Sequence, residues 1–140
     1  MDPLSIAASI LAIVQTGESV IRLSSKARLY LNVPGDIDAI INEVSDLRVA
    51  LDDLRRKSKV IAQEDTAHLL GQLARCKGVV LELECILGEA LKPPTKEWIP
   101  FQSQFYRLRW VQKKDQVAKL KERLSSAKAT LTLQILISTL

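Results

Sequence analysis

Glycine and proline are scarce in this chain, at five residues each among 140. Few positions therefore allow a sharp turn, and long uninterrupted elements are expected. Cysteine is nearly absent too, with Cys76 and Cys85 standing nine residues apart in a helical pattern. At about 100° per residue they fall on opposite helix faces, which rules out a bond between them. Two unpaired thiols suit a reducing compartment, so a cytoplasmic protein is expected. The single histidine, His68, has no partner for a zinc set and reads as a surface or boundary helix residue. Also missing are a glycine-rich phosphate loop, a strand–turn–helix nucleophile motif and a clustered carboxylate constellation. Glu82 with Glu84, and Asp52 with Asp53, are more simply solvated helix faces. Neither an enzyme nor a cofactor site is expected.

What is present is periodic. Hydrophobic residues make up 47% and charged residues 26%, a globular balance for one domain over residues 1–140. A first segment, 3–31, opens with Asp2 as N-cap and Pro3 at the first helical position, and closes at "NVPGD". A second, 36–58, carries Ile37, Ile40, Val44, Leu47, Leu51 and Leu54 at alternating steps of three and four. It ends in the basic run "RRKSK", which suits the negative end of a helix. The third, 64–91, repeats that seam with Leu69, Leu73, Cys76, Val80, Leu83, Leu87 and Ala90. Leu70, Val79 and Ile86 widen its stripe, so contact with two neighbours is expected. "KPPTKEWIP" stops it. The fourth, 108–138, shows Val117, Leu120, Leu124, Ala127 and Leu131. Its tail "LTLQILISTL" also alternates like a strand, but three preceding helices leave no sheet to join. The pattern predicts an all-α, antiparallel four-helix bundle.

Charge is divided unevenly. Residues 1–70 hold eight Lys/Arg against ten Asp/Glu, whereas residues 71–140 hold twelve against six. Arg107, Lys114, Lys121 and Lys128 recur every seven residues along the fourth helix, with Lys113 beside them. A solvated outer face accounts for this stripe, and attraction to anionic lipid is the functional alternative. No nucleic-acid-binding motif accompanies the charge, so nucleic acid is not an expected partner.

Five of the six aromatic residues fall within thirteen positions, in "WIPFQSQFYRLRW": Trp98, Phe101, Phe105, Tyr106 and Trp110. They read as an aromatic-rich loop before the last helix. It either closes one end of the bundle or presents a docking patch, and packing is the favoured alternative.

The N-terminal segment "PLSIAASILAIVQTG" holds fifteen residues without an ionisable side chain. A signal peptide needs a basic start, and here only Asp2 precedes the apolar run. Fifteen helical residues span about 22 Å against about 30 Å of hydrocarbon, which argues against a constitutive span. Ile6, Ile10, Ile13, Gly17 and Val20 follow the bundle spacing, and Gly17 would permit close helix approach. Leu4, Ala7, Leu11 and Val14 form a second apolar row, leaving Ser5, Ser9, Ala12 and Thr16 for the outside. A helix apolar nearly all round is either buried or meant for another apolar environment. Leu4, Ile6, Ile10, Leu11, Ile13 and Val14 are the candidates for membrane insertion.

"MDPLSIAASILAIVQTG", "INEVSDLRVALDDL" and "RLRWVQKKDQVAKLKERLSSAKATLTLQI", in that order, resemble the N-terminal domain of filamentous-fungal STAND (NLR-like) proteins. Related domains are called HeLo-like, and a version heads proteins associated with pigment gene clusters. The resemblance implies a helical bundle set ahead of a nucleotide-binding oligomerisation module or repeats. It also implies self-association, and for the HeLo-like death effectors release of the N-terminal helix onto a membrane, as in plant coiled-coil immune receptors and the necroptosis executioner pseudokinase. The chain stops at Leu140 without such a module, so a fragment or a stand-alone member is expected. The implied partners are further copies of the chain, the downstream modules where present, and anionic membrane.

Overall fold

Four helices hold nearly all the described residues: α1 (Pro3–Leu31), α2 (Pro34–Lys57), α3 (Gln63–Ala90) and α4 (Gln102–Ser138). This computed structural model describes residues 3–31, 34–61, 63–92 and 102–140, without the side chains of 3, 4, 31, 34, 63 and 102–104. No strand occurs among them.

Each helix follows from local chemistry. Pro34 opens α2 with its fixed φ, and Asp36 in the first turn complements the positive end. Arg55, Arg56 and Lys57 sit in the last turn, with Lys57 bonded to Asp53 at 3.2 Å. Glu64 and Asp65 play the acidic role at the start of α3. Its end is closed by the Leu91 amide on the Leu87 carbonyl at 3.0 Å. The tail of α4 is helical, because Leu131, Ile135 and Ser138 are buried at i, i+4 and i+7. Its strand-like alternation came from two helical faces both carrying apolar residues.

Ion pairs fix the directions. Arg28 meets Asp38 and Glu18 meets Arg48, so α1 and α2 are antiparallel. Lys113 meets Glu89 and Arg123 meets Glu82, so α3 and α4 are antiparallel. Across α2 and α4 the register rises together: Asp36 lies by Lys114, Glu43 by Lys128 and Asp53 by Thr132. Those two run parallel, and therefore so do α1 and α3. The bundle order around the core is α1, α3, α4, α2, with α2 and α3 on a diagonal. Successive helices alternate in direction as expected, but two of the four lateral contacts join parallel helices.

One boundary differs from expectation. α4 begins at Gln102 rather than near 108, so Phe105 and Tyr106 belong to its first turns and not to a loop. Trp98 and Phe101 lie outside the described residues.

Candidate functional site

Along α1, Ile6, Ile10, Ile13 and Val20 are buried in the core. Val14 and Ile21 pack partly against it on the side facing Val44, Leu47 and Leu51 of α2. Gly17 sits between these rows, where an added Cβ would come within 3.2 Å of Val44 Cγ1. The close approach expected at Gly17 is therefore present. With α2 on that flank, α3 takes the other, where Ser9, Ala12 and Thr16 are half-buried. The Thr16 hydroxyl donates to the Ala12 carbonyl at 2.9 Å, so it needs no partner there.

This corrects the expected outer face. Ser5 is exposed, but Ser9, Ala12 and Thr16 lie along a helix contact. The outward residues are Ala7, Ala8, Leu11, Gln15 and Glu18, with Leu11 58% exposed. The second apolar row thus splits, Val14 turning to α2 and Leu11 to solvent; the Leu4 side chain lies outside the described set. The apolar character also outlasts the uncharged fifteen residues. Ser5–Tyr30 is long and apolar enough, by length and composition, to cross a membrane, a test that core helices also pass. Two surface ion pairs tie this helix to α2: Arg28 to Asp38, and Arg48 to Glu18 at 3.7 Å. Such exposed pairs contribute about 0–1 kcal/mol each, so burial rather than charge keeps α1 in place.

The described members of the aromatic cluster pack against the bundle. Tyr106 and Trp110 are buried and Phe105 is half-buried. The Tyr106 ring stacks on Tyr30 of α1 at 5.3 Å between centroids and meets Phe105 edge-on at 6.1 Å. The Arg109 guanidinium lies 4.4 Å over the Phe105 ring. It also donates to the Glu89 and Lys92 carbonyls, at 2.9 and 2.6 Å, and so caps the C-terminal end of α3. These residues close the end of the bundle where α1 finishes and α4 starts. The Trp110 indole N–H has no partner among the described residues.

Of the heptad-spaced basic stripe, Arg107 and Lys114 are exposed and Lys121 and Lys128 half-buried. Arg107, Lys114, Lys121 and Lys128 run down the side of α4 that flanks α2, and the last is engaged by Glu43 at 3.0 Å and Asp46 at 3.4 Å. Desolvation pulls the Lys128 ammonium down, yet its bonds to Glu43 and Asp46 outweigh that and hold its pKa above the usual lysine value. Lys113 sits on the opposite flank, 2.7 Å from Glu89, whose carboxyl it holds below the ordinary range by donating to it. Lys114 and Lys121 border a groove with Asp36, Ile40 and Trp110.

Other candidate chemistry resolves into structure. Glu82 pairs with Arg123 at 2.9 Å, and Asp52 and Asp53 face Arg55, Arg56 and Lys57. His68 is exposed. Cys76 is buried and Cys85 exposed, on opposite faces, and burial pushes the Cys76 thiol up to about 11. No group of three or more His, Cys, Asp or Glu among the described residues could hold a metal ion.

The fold defines a four-helix-bundle domain. Over residues 1–140 the chain matches the family described as pigment biosynthesis cluster protein PigL N-terminal, and it belongs to that family. No curated protein and no solved structure matches it.

Proposed function

We propose that this domain is an effector or signalling module, placed at the head of a fungal NLR-like (STAND) protein, that assembles with other copies and delivers α1 to a membrane. It acts in the cytoplasm by assembly and membrane contact rather than by catalysis, and regulated cell death is the outcome the family resemblance suggests. The observation that carries this reading is α1 itself. Its first fifteen residues carry no charge, its inner row fills the core, and its outer row of Ala7, Ala8 and Leu11 is apolar and open. Within the basic stripe Arg107, Lys114 and Lys121 are the cations placed to meet anionic headgroups, since Lys113 and Lys128 are engaged within the bundle. Vesicles containing anionic lipid should leak on addition of the chain. Ala8→Glu/Leu11→Glu, which alters only exposed positions, should remove the leakage while leaving the fold intact by circular dichroism. Equal leakage from both proteins defeats the reading.

A second reading, an assembling or docking module that stays out of lipid, is favoured by the exposed apolar side chains of Leu133, Leu136 and Ile137 near the end of α4.

A further inference from the structure

Along the outward side of α3 charge is ordered by sign: Arg75 and Lys77 come first, and Glu82, Glu84 and Glu89 follow. Arg75, Glu82 and Glu89 form one row at heptad spacing, and Lys77 and Glu84 form another. Between the rows Gly71, Ala74, Gly78, Leu81 and Cys85 are exposed and Gly88 half-buried, at alternating steps of three and four. This is the layout of a helix-pairing seam with charged edges, and the fold covers none of it with a described residue. A Cβ added at Gly71, Gly78 or Gly88 would meet nothing within 4 Å, although glycine inside a helix weakens it relative to alanine. Three of the chain's five glycines therefore have no packing use within the bundle, whereas a second helix laid on this face could come close because of them.

We infer that a second copy of the chain pairs on this face, the two α3 helices lying antiparallel about a two-fold axis between Val79 and Val80. With the axis there, Gly78 lies against Leu81 of the second copy, Ala74 against its Cys85 and Gly71 against its Gly88, so Leu81 and Cys85 each face a smaller residue. The same axis brings Arg75 beside Glu82 of the second copy on one edge and Lys77 beside its Glu84 on the other, each twice by symmetry. No like charges of α3 meet, and Glu64 and Asp65 of its first turn fall outside the overlap. A parallel pair would instead set Glu84 against Glu89 and stack Leu81 on itself. Arg75, Lys77 and Glu84 have no ion-pair partner among the described residues. Glu82 and Glu89 are held by Arg123 and Lys113 of α4, but their side chains stay 53% and 55% exposed, so each has room for a second donor. On the neighbouring helices Arg22, Lys26, Lys119 and Glu122 are exposed, which leaves the surround basic. The order of charge along α3, rather than net attraction, selects a second copy as the partner, and the association is weak. This pairing rests on the reading of an assembling domain, but not on entry of α1 into lipid.

Sedimentation equilibrium of the 140-residue chain from about 5 to about 500 µM tests it, a range suited to a small interface. The mass should rise from 15.6 kDa toward twice that value with a single dimer species. Lys77→Glu sets like charges together at two places and should raise the dissociation constant about tenfold. Lys77→Glu/Glu84→Lys restores opposite charges and should return it close to the wild-type value. Gly78→Gln, whose side chain has open space in the single bundle, should abolish pairing with an unchanged circular dichroism spectrum. Ala74→Cys should give a disulfide-linked dimer through Cys85 of the second copy on mild oxidation, since positions 74 and 85 of one helix stand about 16 Å apart and cannot join within a chain. A chain that stays monomeric throughout overturns the inference, as does a charge exchange that fails to rescue Lys77→Glu, or a Gly78→Gln protein that pairs like wild type. Leu136→Glu/Ile137→Glu, on the exposed apolar end of α4, should leave the mass as it was; loss of pairing there overturns the placement on α3. A Gly78→Gln protein that loses vesicle binding without any change of mass makes the face a lipid contact and overturns it too. A dimer with this charge response in a chain that leaks no vesicles upholds the pairing and defeats only the membrane reading.

Discussion

Ser24 provides a sharp test of how α1 is held. Its side chain is fully buried and its hydroxyl has no hydrogen-bond partner among the described residues. Serine inside a helix usually donates back to the carbonyl four residues earlier. Ser25 does so to Ile21 at 3.0 Å, and Thr16 does so to Ala12. Replacing Ser24 by alanine therefore removes a buried polar group without breaking a bond, for a gain of about 1–2 kcal/mol. The better helix propensity of alanine adds about 0.5 kcal/mol, and the small void left behind takes back a similar amount. The net expectation is stabilisation by about 1.5 kcal/mol, or a Tm higher by about 5 °C for a domain of this size. Thermal and urea unfolding should agree on the sign. Hydrogen exchange should show the gain on α1 amides, and vesicle leakage should fall about tenfold if leakage needs α1 to leave the bundle. A Tm that drops by several degrees refutes the reasoning, because it would mean that the hydroxyl is satisfied and contributes to the fold.

Gly17→Leu should destabilise by about 2 kcal/mol in urea unfolding, since its side chain must displace Val44, whereas Gly17→Ala should stay within about 1 kcal/mol because helix propensity offsets a tight contact. Trp110→Phe should cost under about 1.5 kcal/mol, as the indole N–H has no partner to lose, while Trp110→Ala should cost about 3–5 kcal/mol. The folded-state pKa of Lys128 lies above the ordinary 10.5, so its contribution is fully present below that value and lost as pH rises through the folded pKa. Lys128→Met should therefore lower stability at neutral pH by about 1 kcal/mol and remove the alkaline decline, as read from Tm across pH 7–12.

Much of this bundle could be read from spacing. All of Ile37, Ile40, Val44, Leu47, Leu51 and Leu54 are buried, as are Leu69, Leu73, Cys76, Val80, Leu83, Leu87 and Ala90. A three–four alternation marks a buried face because only those positions share one side of a helix. It does not say what lies opposite. The heptad stripe from Arg107 to Lys128 is solvated at Arg107 and Lys114, but Lys128 meets Glu43 and Asp46 because the chain places α2 beside α4. The outward row of α1 was misjudged for a related reason. With apolar residues on several sides, hydropathy cannot choose a rotation; the choice depends on Gly17 meeting Val44 and on α3 covering Ser9, Ala12 and Thr16. The exposed side chains of Leu133, Leu136 and Ile137 were hidden because residues on both faces of the α4 end are apolar, which mimics a strand.

The same burial arithmetic limits how α1 could act. Undocking it exposes Ile6, Ile10, Ile13 and Val20, at about 2 kcal/mol each, or about 8 kcal/mol together. At 1.4 kcal/mol per tenfold, about one molecule in a million would have α1 free in water, so spontaneous release is negligible. In a bilayer those side chains are buried again in surroundings as apolar as the core, and their contribution to the difference cancels. Only residues whose environment changes can bias the equilibrium. In the N-terminal half of α1 these are Ala7, Ala8 and Leu11, open in the bundle and covered in lipid, worth about 2 kcal/mol together. That corresponds to about thirtyfold, too little to drive insertion alone but enough to decide it once assembly supplies the rest. Leu11→Ala should therefore reduce leakage several-fold and Leu11→Glu should abolish it, both with unfolding midpoints close to wild type. A Leu11→Glu protein that leaks like wild type would show that α1 is not the element entering the membrane.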